Sequence, residues 1–297
     1  MKCFSGTLPF ERLDREAFTF KHGLLGHPAL SLDNLERVLP SLPPQQVFYS
    51  KGLLKESDDF DRAHVEHSNG LSLKQTIETI RTSNSYIMVR SPESDESFGP
   101  LFRDLKADVE ELMRGRGDVG SEAVDALLYL FIASPNSVTP FHVDRYSTFL
   151  MQFSGSKEVC VFPQWDERVV SAADCEAFMS HTGRRPEWRP SAEPLATSFH
   201  FKPGDALHIP FMAGHLVRNG AEEVSVSMSI IFNTAETVMQ MKALMLNQRI
   251  RSPLQRMGLA PTAVGSHTGR DRLKANFWNS AASVAHAARF LLRRDAR

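Results

Sequence analysis

The sequence predicts a mainly β protein with flanking helices, whose core is a double-stranded β-helix, or jelly roll, between N-terminal α/β elements and C-terminal helices. Apolar residues recur with the helical period of about 3.6 early in the chain. From Leu127 onward they alternate or form short continuous runs. Several short strands with turns between them are typical of a jelly roll that encloses a cavity. Turns between the runs are marked by Ser154-Gly155, Pro203-Gly204 and Asn219-Gly220.

The first third of the chain contains the signals of capped helices. Ser31 precedes an amphipathic stretch that we expect to stop at Pro40. Ser72 and Gln75 have the spacing of a capping box, in which each side chain bonds the other residue's backbone N–H. Further on we predict a strand over Tyr86–Arg90 and a helix from Ser97 to Gly115.

Six later segments are strand-like, and they define the predicted core. The connection over 164–194 holds two tryptophans and a predicted helix over Ala172–Met179, and we expect it to rim the cavity. The predicted organisation is N-terminal elements over 1–124, a jelly-roll core over 125–234 and a C-terminal extension over 235–297. The strand-like segments are Leu127–Ala133, Thr148–Phe153, Glu158–Phe162, Ser198–Phe201, Ala206–Ile209 and Val224–Phe232.

Length and composition indicate an ordinary globular protein. The chain has 297 residues, of which 42% are hydrophobic, so it can bury a full core. No segment approaches the roughly 18 uninterrupted apolar residues of a membrane span, and the start of the chain has no apolar run typical of an export signal. Its three scattered cysteines resemble neither a metal motif nor a disulfide framework. We therefore expect a cytoplasmic protein.

The C-terminal extension is basic, with eleven lysines and arginines against two acidic residues after Glu236. It contains two apolar-periodic stretches that predict helices over Val238–Met257 and Leu273–Leu292. Such asymmetry can mark a surface for nucleic acid, a membrane or an acidic partner. It can also reflect docking onto an oppositely charged part of the chain or a second subunit, which we favour. The extension has no recognised helix-turn-helix or zinc-finger pattern.

The residues with the clearest chemical pattern are His142, Asp144 and His215. Two imidazoles and one carboxylate form the ligand set of a non-haem Fe(II) facial triad, which leaves positions on the metal open. In an extended strand, residues i and i+2 point to the same face, so His142 and Asp144 can approach one ion. His215 would come from a distant strand. We expect His208, two residues before Pro210, to be a packed wall residue and not a ligand.

These residues belong to a longer ordered pattern over roughly 125–234. Its elements are Thr139-Pro-x-His142-x-Asp144, Gln152, Gly155-x-Lys157 and Gly204-Asp-x-Leu-x-Ile-Pro-x-x-x-x-His215. This pattern resembles the JmjC branch of the cupin superfamily, and the whole chain is similar to bacterial cupin-like JmjC proteins. That branch contains Fe(II)- and 2-oxoglutarate-dependent oxygenases, among them the asparaginyl hydroxylase that inhibits hypoxia-inducible factor.

The resemblance implies roles for individual residues. His142, Asp144 and His215 would bind Fe(II) and form the catalytic centre. Lys157 would bind the far carboxylate of 2-oxoglutarate, with Thr139 as a hydroxyl donor to the same group. Molecular oxygen would be the oxidant, and hydroxylation of a protein side chain or small molecule the expected reaction. C-terminal helices in this family often form a dimer. Thr148 and Ser229 depart from relatives that carry asparagine there.

Three interpretations stay open from sequence. The first is a 2-oxoglutarate-dependent dioxygenase of the hydroxylase type, and Arg145, Tyr146, Trp165 and Arg218 would then be candidates for substrate contact. The second is a regulator or scaffold, metal-binding or degenerate, that binds a partner through its basic C-terminal helices. The third is a cupin enzyme that uses a metal without 2-oxoglutarate. We favour the first because the lysine, threonine and second-histidine motifs occur together in order.

Overall fold

A computed structural model describes residues 2–6, 8–183 and 185–280 of the chain. Its strands alternate with turns through most of this length and form two antiparallel sheets. The strands are β1 (Phe4–Ser5), β2 (Phe18–His22), β3 (Val47–Lys51), β4 (Ser85–Arg90), β5 (Val124–Ala133), β6 (Val138–His142), β7 (Ser147–Ser154), β8 (Lys157–Val161), β9 (Thr197–Phe201), β10 (Asp205–Ile209), β11 (His215–Asn219) and β12 (Ser225–Asn233).

The large sheet has eight strands in the order β1-β2-β10-β7-β12-β5-β4-β3. The small sheet has four, in the order β6-β11-β8-β9. The predicted jelly-roll fold class is thereby confirmed, since two sheets of antiparallel strands enclose a common interior. The strands β1 to β4, all from the N-terminal region, widen the large sheet on both edges.

The helices cover the outside of this core. Ser31 caps α1 through a hydrogen bond from the Asn34 backbone N–H, and Ser72 and Gln75 form the predicted capping box at α3. None of the described helices has the length and apolar character that a membrane crossing requires. The helices are α1 (Leu32–Ser41), α2 (Ala63–Glu66), α3 (Leu73–Glu78), α4 (Gly99–Arg116), α5 (Ala172–Met179) and α6 (Ala235–Arg256), followed by a helix over 268–280.

Successive side chains along the strands point alternately into the hydrophobic core and into the cavity between the sheets. On β5, Leu128 and Leu130 are buried in the hydrophobic core outside the large sheet, where α4 packs, whereas Tyr129 and Phe131 line the interior. On β7, Phe149 belongs to the same core. Side chains of a strand point to opposite faces in turn, which explains this division. Fully burying one large apolar side chain stabilises the fold by about 1.5–3 kcal/mol.

Some predicted boundaries differ from those observed. Helix α1 continues past Pro40, which sits in its last turn. Strand β6 ends at His142, so Asp144 lies in the loop that follows and not on an extended strand with it. The predicted helix over Leu273–Leu292 is observed up to residue 280, and the remainder lies outside the described residues. The division at 124 and 234 stays a prediction.

Candidate metal centre

The last residue of β6 and the first of β11 are both histidines, and they face each other. His142 and His215 occupy paired Cα positions, and their ring centroids are 4.0 Å apart. The loop after β6 brings Asp144 to the same point, with Oδ2 3.6 Å from His215 Nε2. Potential ligand atoms of the three residues all lie within 4.8 Å of one another. Such a cluster can hold one ion from one side.

Hydrogen bonds orient both imidazoles. His142 Nδ1 lies 2.8 Å from the Pro140 carbonyl oxygen, and His215 Nδ1 lies 3.1 Å from the Ala213 carbonyl oxygen. A carbonyl can only accept, so each Nδ1 carries the proton and each Nε2 keeps its lone pair. This is the support that metal-binding histidines commonly receive.

Burial keeps the two imidazoles neutral. It lowers the pKa of His142 to about 3, with the nearby His215 adding to the effect. Burial also lowers the pKa of His215. A protonated imidazole cannot bind a metal, so these histidines are in the metal-binding form at neutral pH.

The carboxylate of Asp144 is held ionised. Burial alone would raise its pKa, but His142, His215 and Arg185 together lower it below its usual value. Arg185 Nη1 lies 3.9 Å from Asp144 Oδ1 and also donates to the Val143 carbonyl at 2.9 Å. A salt bridge to Asp61 positions Arg185 in turn. Arg185 was missed from sequence, because nothing near it in the chain marks its contact with Asp144.

The cluster opens into a cavity of about 410 Å³ between the two sheets. The inner face of the large sheet supplies the largest share of its wall, and the connection after β8 contributes Phe178 of α5 and the loop residues His181 and Arg185. Polar side chains line its inner part: Thr139, Thr148, Lys157, Asn219, Ser225 and Ser229. The cavity is large enough for small organic ligands.

Lys157 is a buried cation without a counter-charge. Its side chain begins on β8, the residue is 7% exposed, and Nζ donates to Ser227 Oγ at 2.7 Å. Among the described residues, no carboxylate lies within 4.0 Å of Nζ. Burial lowers the pKa of Lys157 to about 7. An unpaired buried ammonium is costly, so this site suits an anion that enters the cavity.

Two threonines line the cavity together with Lys157. Thr139 shares the cavity wall with Tyr86, a residue of β4 that the sequence did not single out. Thr148, also in the wall, has a buried Oγ1 for which the described part of the chain offers no hydrogen-bond partner. Thr148 stands where some relatives carry asparagine, and its hydroxyl is a free donor to a ligand.

The residues proposed for substrate contact separate into two groups. Arg145 and Tyr146 line the cavity. Trp165 packs against Phe211, with ring centroids 6.1 Å apart, and Arg218 pairs with Glu56 and Glu158. Neither Trp165 nor Arg218 is among the residues that line this cavity.

His208 is a packed residue, as expected, but it is not among the residues that line the cavity and instead packs against Phe18 and Phe149. It is fully buried, its Nδ1 lies 3.2 Å from the Thr148 carbonyl oxygen, and its Nε2 accepts from the Asp14 backbone N–H at 2.9 Å. Burial lowers the pKa of His208 to about 3. Both ring nitrogens are thus occupied, which leaves none for a metal.

Two packed antiparallel sheets around an internal cluster of two histidines and one aspartate define a cupin-type barrel. The chain belongs to the cupin-like domain family, which matches residues 44–237. This confirms the resemblance drawn from the ordered motifs. No curated protein matches the chain significantly.

Several solved structures have a similar fold. The ribosomal oxygenase YcfD from Escherichia coli in complex with cobalt and 2-oxoglutarate is 15% identical, with a TM-score of 0.50, over 94% of this chain and 68% of that one. Another structure of E. coli YcfD is 17% identical, with a TM-score of 0.49, over 90% of this chain and 65% of that one. The chain thus spans about two thirds of that protein's length, and at this identity the likeness shows the fold alone.

Proposed function

We propose that the protein is an oxygenase that uses Fe(II) and 2-oxoglutarate, most simply a hydroxylase of a protein side chain or small molecule. The single observation that carries this proposal is Lys157, a buried cation that has no counter-charge among residues 2–6, 8–183 and 185–280 and lies in the same cavity as the His142, Asp144 and His215 cluster. A metal-binding cupin that does not use 2-oxoglutarate would have no need of such a cation.

The three clustered residues fit Fe(II) chemically. Two neutral imidazoles with free Nε2 atoms and one ionised carboxylate are a 2-His-1-carboxylate donor set. When bound, iron and 2-oxoglutarate would together supply oxidation of an unactivated C–H bond by molecular oxygen, with succinate and carbon dioxide as coproducts. His142, Asp144 and His215 would hold the metal and leave its cavity side open.

The inner part of the cavity fits a dicarboxylic acid. Lys157 would pair with the far carboxylate through a charge-assisted hydrogen bond, and Thr148 would donate its unpartnered hydroxyl. The predicted role of Thr139 as a second donor requires its hydroxyl to turn toward the same carboxylate. Burial disfavours the charged lysine because its ammonium group loses hydrating water. A carboxylate that binds beside Lys157 would favour the charged form in place of that water.

The rest of the chain positions groups and excludes water. Pro140 and Ala213 fix the orientation of the imidazoles through their carbonyls. Arg185, held by Asp61, keeps Asp144 ionised before the metal arrives. The aromatic ring of Phe60 lies 4.9 Å from that of His142 and shields one side of the cluster. A closed, preorganised site of this type protects a reactive centre from solvent.

An anaerobic titration of the Fe(II)-loaded protein with 2-oxoglutarate tests the proposal. We expect a visible metal-to-ligand charge-transfer band that saturates, and Lys157→Ala to need far more 2-oxoglutarate for the same band. Lys202→Ala is the matched control, since Lys202 is exposed and lies outside the cavity. A folded, iron-loaded protein without the band would contradict the use of 2-oxoglutarate.

Two further features of the protein belong to the proposal. A homodimer through the C-terminal helices is supported by Leu273 and Phe277, each 70% exposed on the helix over 268–280. A cytoplasmic location is supported by Cys3, Cys160 and Cys175, all buried and free. Binding of nucleic acid or a membrane by the basic extension has no specific support in the described residues.

A further inference from the structure

Arg145, one of the residues that line the cavity, is a partly buried cation. Its guanidinium lies over the Phe178 ring, 3.7 Å from the centroid, and its Nε and Nη2 donate to the Phe178 carbonyl oxygen. Among the residues that the structure describes, no carboxylate lies within 4.0 Å of it. Within the described residues, Arg145 Nη1 has no hydrogen-bond partner and can donate to a ligand.

The neighbouring charges do not neutralise Arg145. Arg185 shares the Phe178 ring, with its guanidinium 5.6 Å from the centroid, and is neutralised by its salt bridge to Asp61. Asp144, which also lies nearby, would commit its charge to the metal in the proposed function. The positive charge of Arg145 therefore stays unmatched when the metal is bound.

The wall beside this charge is aromatic. Tyr129 and Phe131 present parallel rings with an interplanar angle of 5° and centroids 6.0 Å apart. Phe60 and Tyr86 join them and continue into an adjoining cavity of about 180 Å³. Flat apolar groups pack well against such faces, as offset stacks or edge to face.

We propose that the substrate carries an oxyanion, a carboxylate or a phosphate, attached to a flat apolar group. Arg145 binds the oxyanion, and the aromatic wall made by Phe60, Tyr86, Tyr129 and Phe131 receives the flat group. The inference deepens the proposed function, because it places the substrate beside the same metal cluster. Arginine suits this role, since its planar fork matches the geometry of both anions.

Simple aromatic compounds test this inference without the true substrate. Phenyl phosphate, benzoate and neutral benzyl alcohol would be titrated into the full chain loaded with Co(II) and 2-oxoglutarate without oxygen, and in parallel into the metal-free protein. Binding would be measured by ligand-observed NMR. Bound Co(II) also shortens the relaxation times of probe protons that lie near the cluster. We expect the two anions to bind and to be relaxed by Co(II), and benzyl alcohol to bind much more weakly.

Variants assign the anion site. Arg145→Gln is expected to weaken binding of the anions by roughly 10- to 100-fold, the range of a lost charge-assisted hydrogen bond. Arg145→Lys keeps the charge, and its affinity for the anions should lie between those of the unaltered protein and Arg145→Gln. Arg168→Gln is the matched control, because Arg168 is an exposed arginine that does not line the cavity and is paired with Asp166. Thermal unfolding of each variant verifies that the fold is kept.

Each outcome bears on the inference. Tighter binding of phenyl phosphate points to a phosphorylated substrate, and tighter binding of benzoate to a carboxylic acid. Equal binding of anions and benzyl alcohol, or loss of binding in Lys157→Ala but not in Arg145→Gln, would overturn the oxyanion site. Failure to load metal and 2-oxoglutarate, with Arg145-dependent binding to the metal-free protein, would contradict the proposed function and support the oxyanion site.

Discussion

His142 and His215 receive the same support from opposite strands: each directs Nδ1 to the backbone carbonyl two residues before it, in Pro140 and Ala213. Their rings lie 4.0 Å apart between centroids. The pairing of β6 with β11 therefore places two equivalent nitrogen donors at one point from distant parts of the chain.

Removing one of these donors should remove the metal. We expect His215→Ala to weaken Co(II) binding by more than about 100-fold, since even loss of an outer hydrogen bond to a ligand costs 10- to 100-fold. Isothermal titration calorimetry measures the affinity. His200→Ala, on the exposed side of β9, should bind Co(II) like the unaltered protein. Equal affinities for the two variants would disprove the site.

Lys157 should make the stability of the metal-free protein depend on pH. Its pKa is about 7 in the fold, against 10.5 for an ordinary exposed lysine, so folding disfavours the protonated lysine. The resulting destabilisation is complete below pH 7 and disappears as pH rises towards 10.5.

Lys157→Met removes this titration. Its gain in unfolding free energy over the unaltered protein should shrink by roughly 2–3 kcal/mol between pH 6 and pH 9, at about 1.4 kcal/mol per pKa unit. Urea denaturation at both pH values measures the difference. A gain that is the same at pH 6 and pH 9 would show that the lysine is not desolvated.

Asp14 should stabilise the junction between the N-terminal region and the barrel. Its Oδ1 accepts from Ser147 Oγ at 2.6 Å and from the Phe211 N–H at 3.1 Å, all buried. Asp14→Ala leaves both donors unsatisfied, and we expect it to lower the unfolding free energy by about 2–4 kcal/mol. Asp14→Asn keeps an acceptor and should lose less. Equal losses in urea denaturation would exclude the hydrogen bonds as the cause.

Glu176 should join the rim of the cavity to α6. It is fully buried and accepts from Arg251 Nη2 at 2.7 Å and from Asn247 Nδ2 at 3.0 Å. Glu176→Ala leaves the largely buried Arg251 without its carboxylate partner and should lower the free energy of unfolding by about 3 kcal/mol. Asp166→Ala breaks the exposed pair with Arg168 and should cost less than about 1 kcal/mol. Thermal unfolding of the two variants compares them, and a similar loss in both would refute the role.

The proposed dimer is tested on its exposed apolar residues. Leu273→Glu combined with Phe277→Glu should convert a dimer into a monomer, because each charge would be buried without a partner at the contact. Light scattering after size-exclusion chromatography measures the mass. Met257→Glu, at a residue 65% exposed just after α6, serves as the control. A monomeric unaltered protein would rule out the dimer.

Much of the fold could be predicted because its signals are local. The capping box at Ser72 and the alternation on β5 and β12 each depend on neighbours in the chain. Strands β2 and β3 were missed, since their short apolar pattern resembles that of connecting segments. Their place in the large sheet depends on pairing with β10 and β4, which the sequence around them does not show.

The candidate site was predictable as far as its motif extended. The pattern from Thr139 to His215 named the clustered residues and Lys157 in advance. It could not name Tyr86, Ser227 or Arg185, which contact these residues only after the chain has folded. Long-range contacts of this kind leave no spacing in the sequence.

The strands β3 and β4 lie outside the motif region, yet Tyr86, Met88 and Arg90 form part of the cavity wall. The metal cluster thus lies within the motif region, whereas β4, from outside that region, forms part of the surface that an entering molecule would meet. Exchange of residues on β4 would therefore alter the fit of an entering molecule without replacing any of the clustered residues. Part of the selectivity can in this way change independently of the metal cluster.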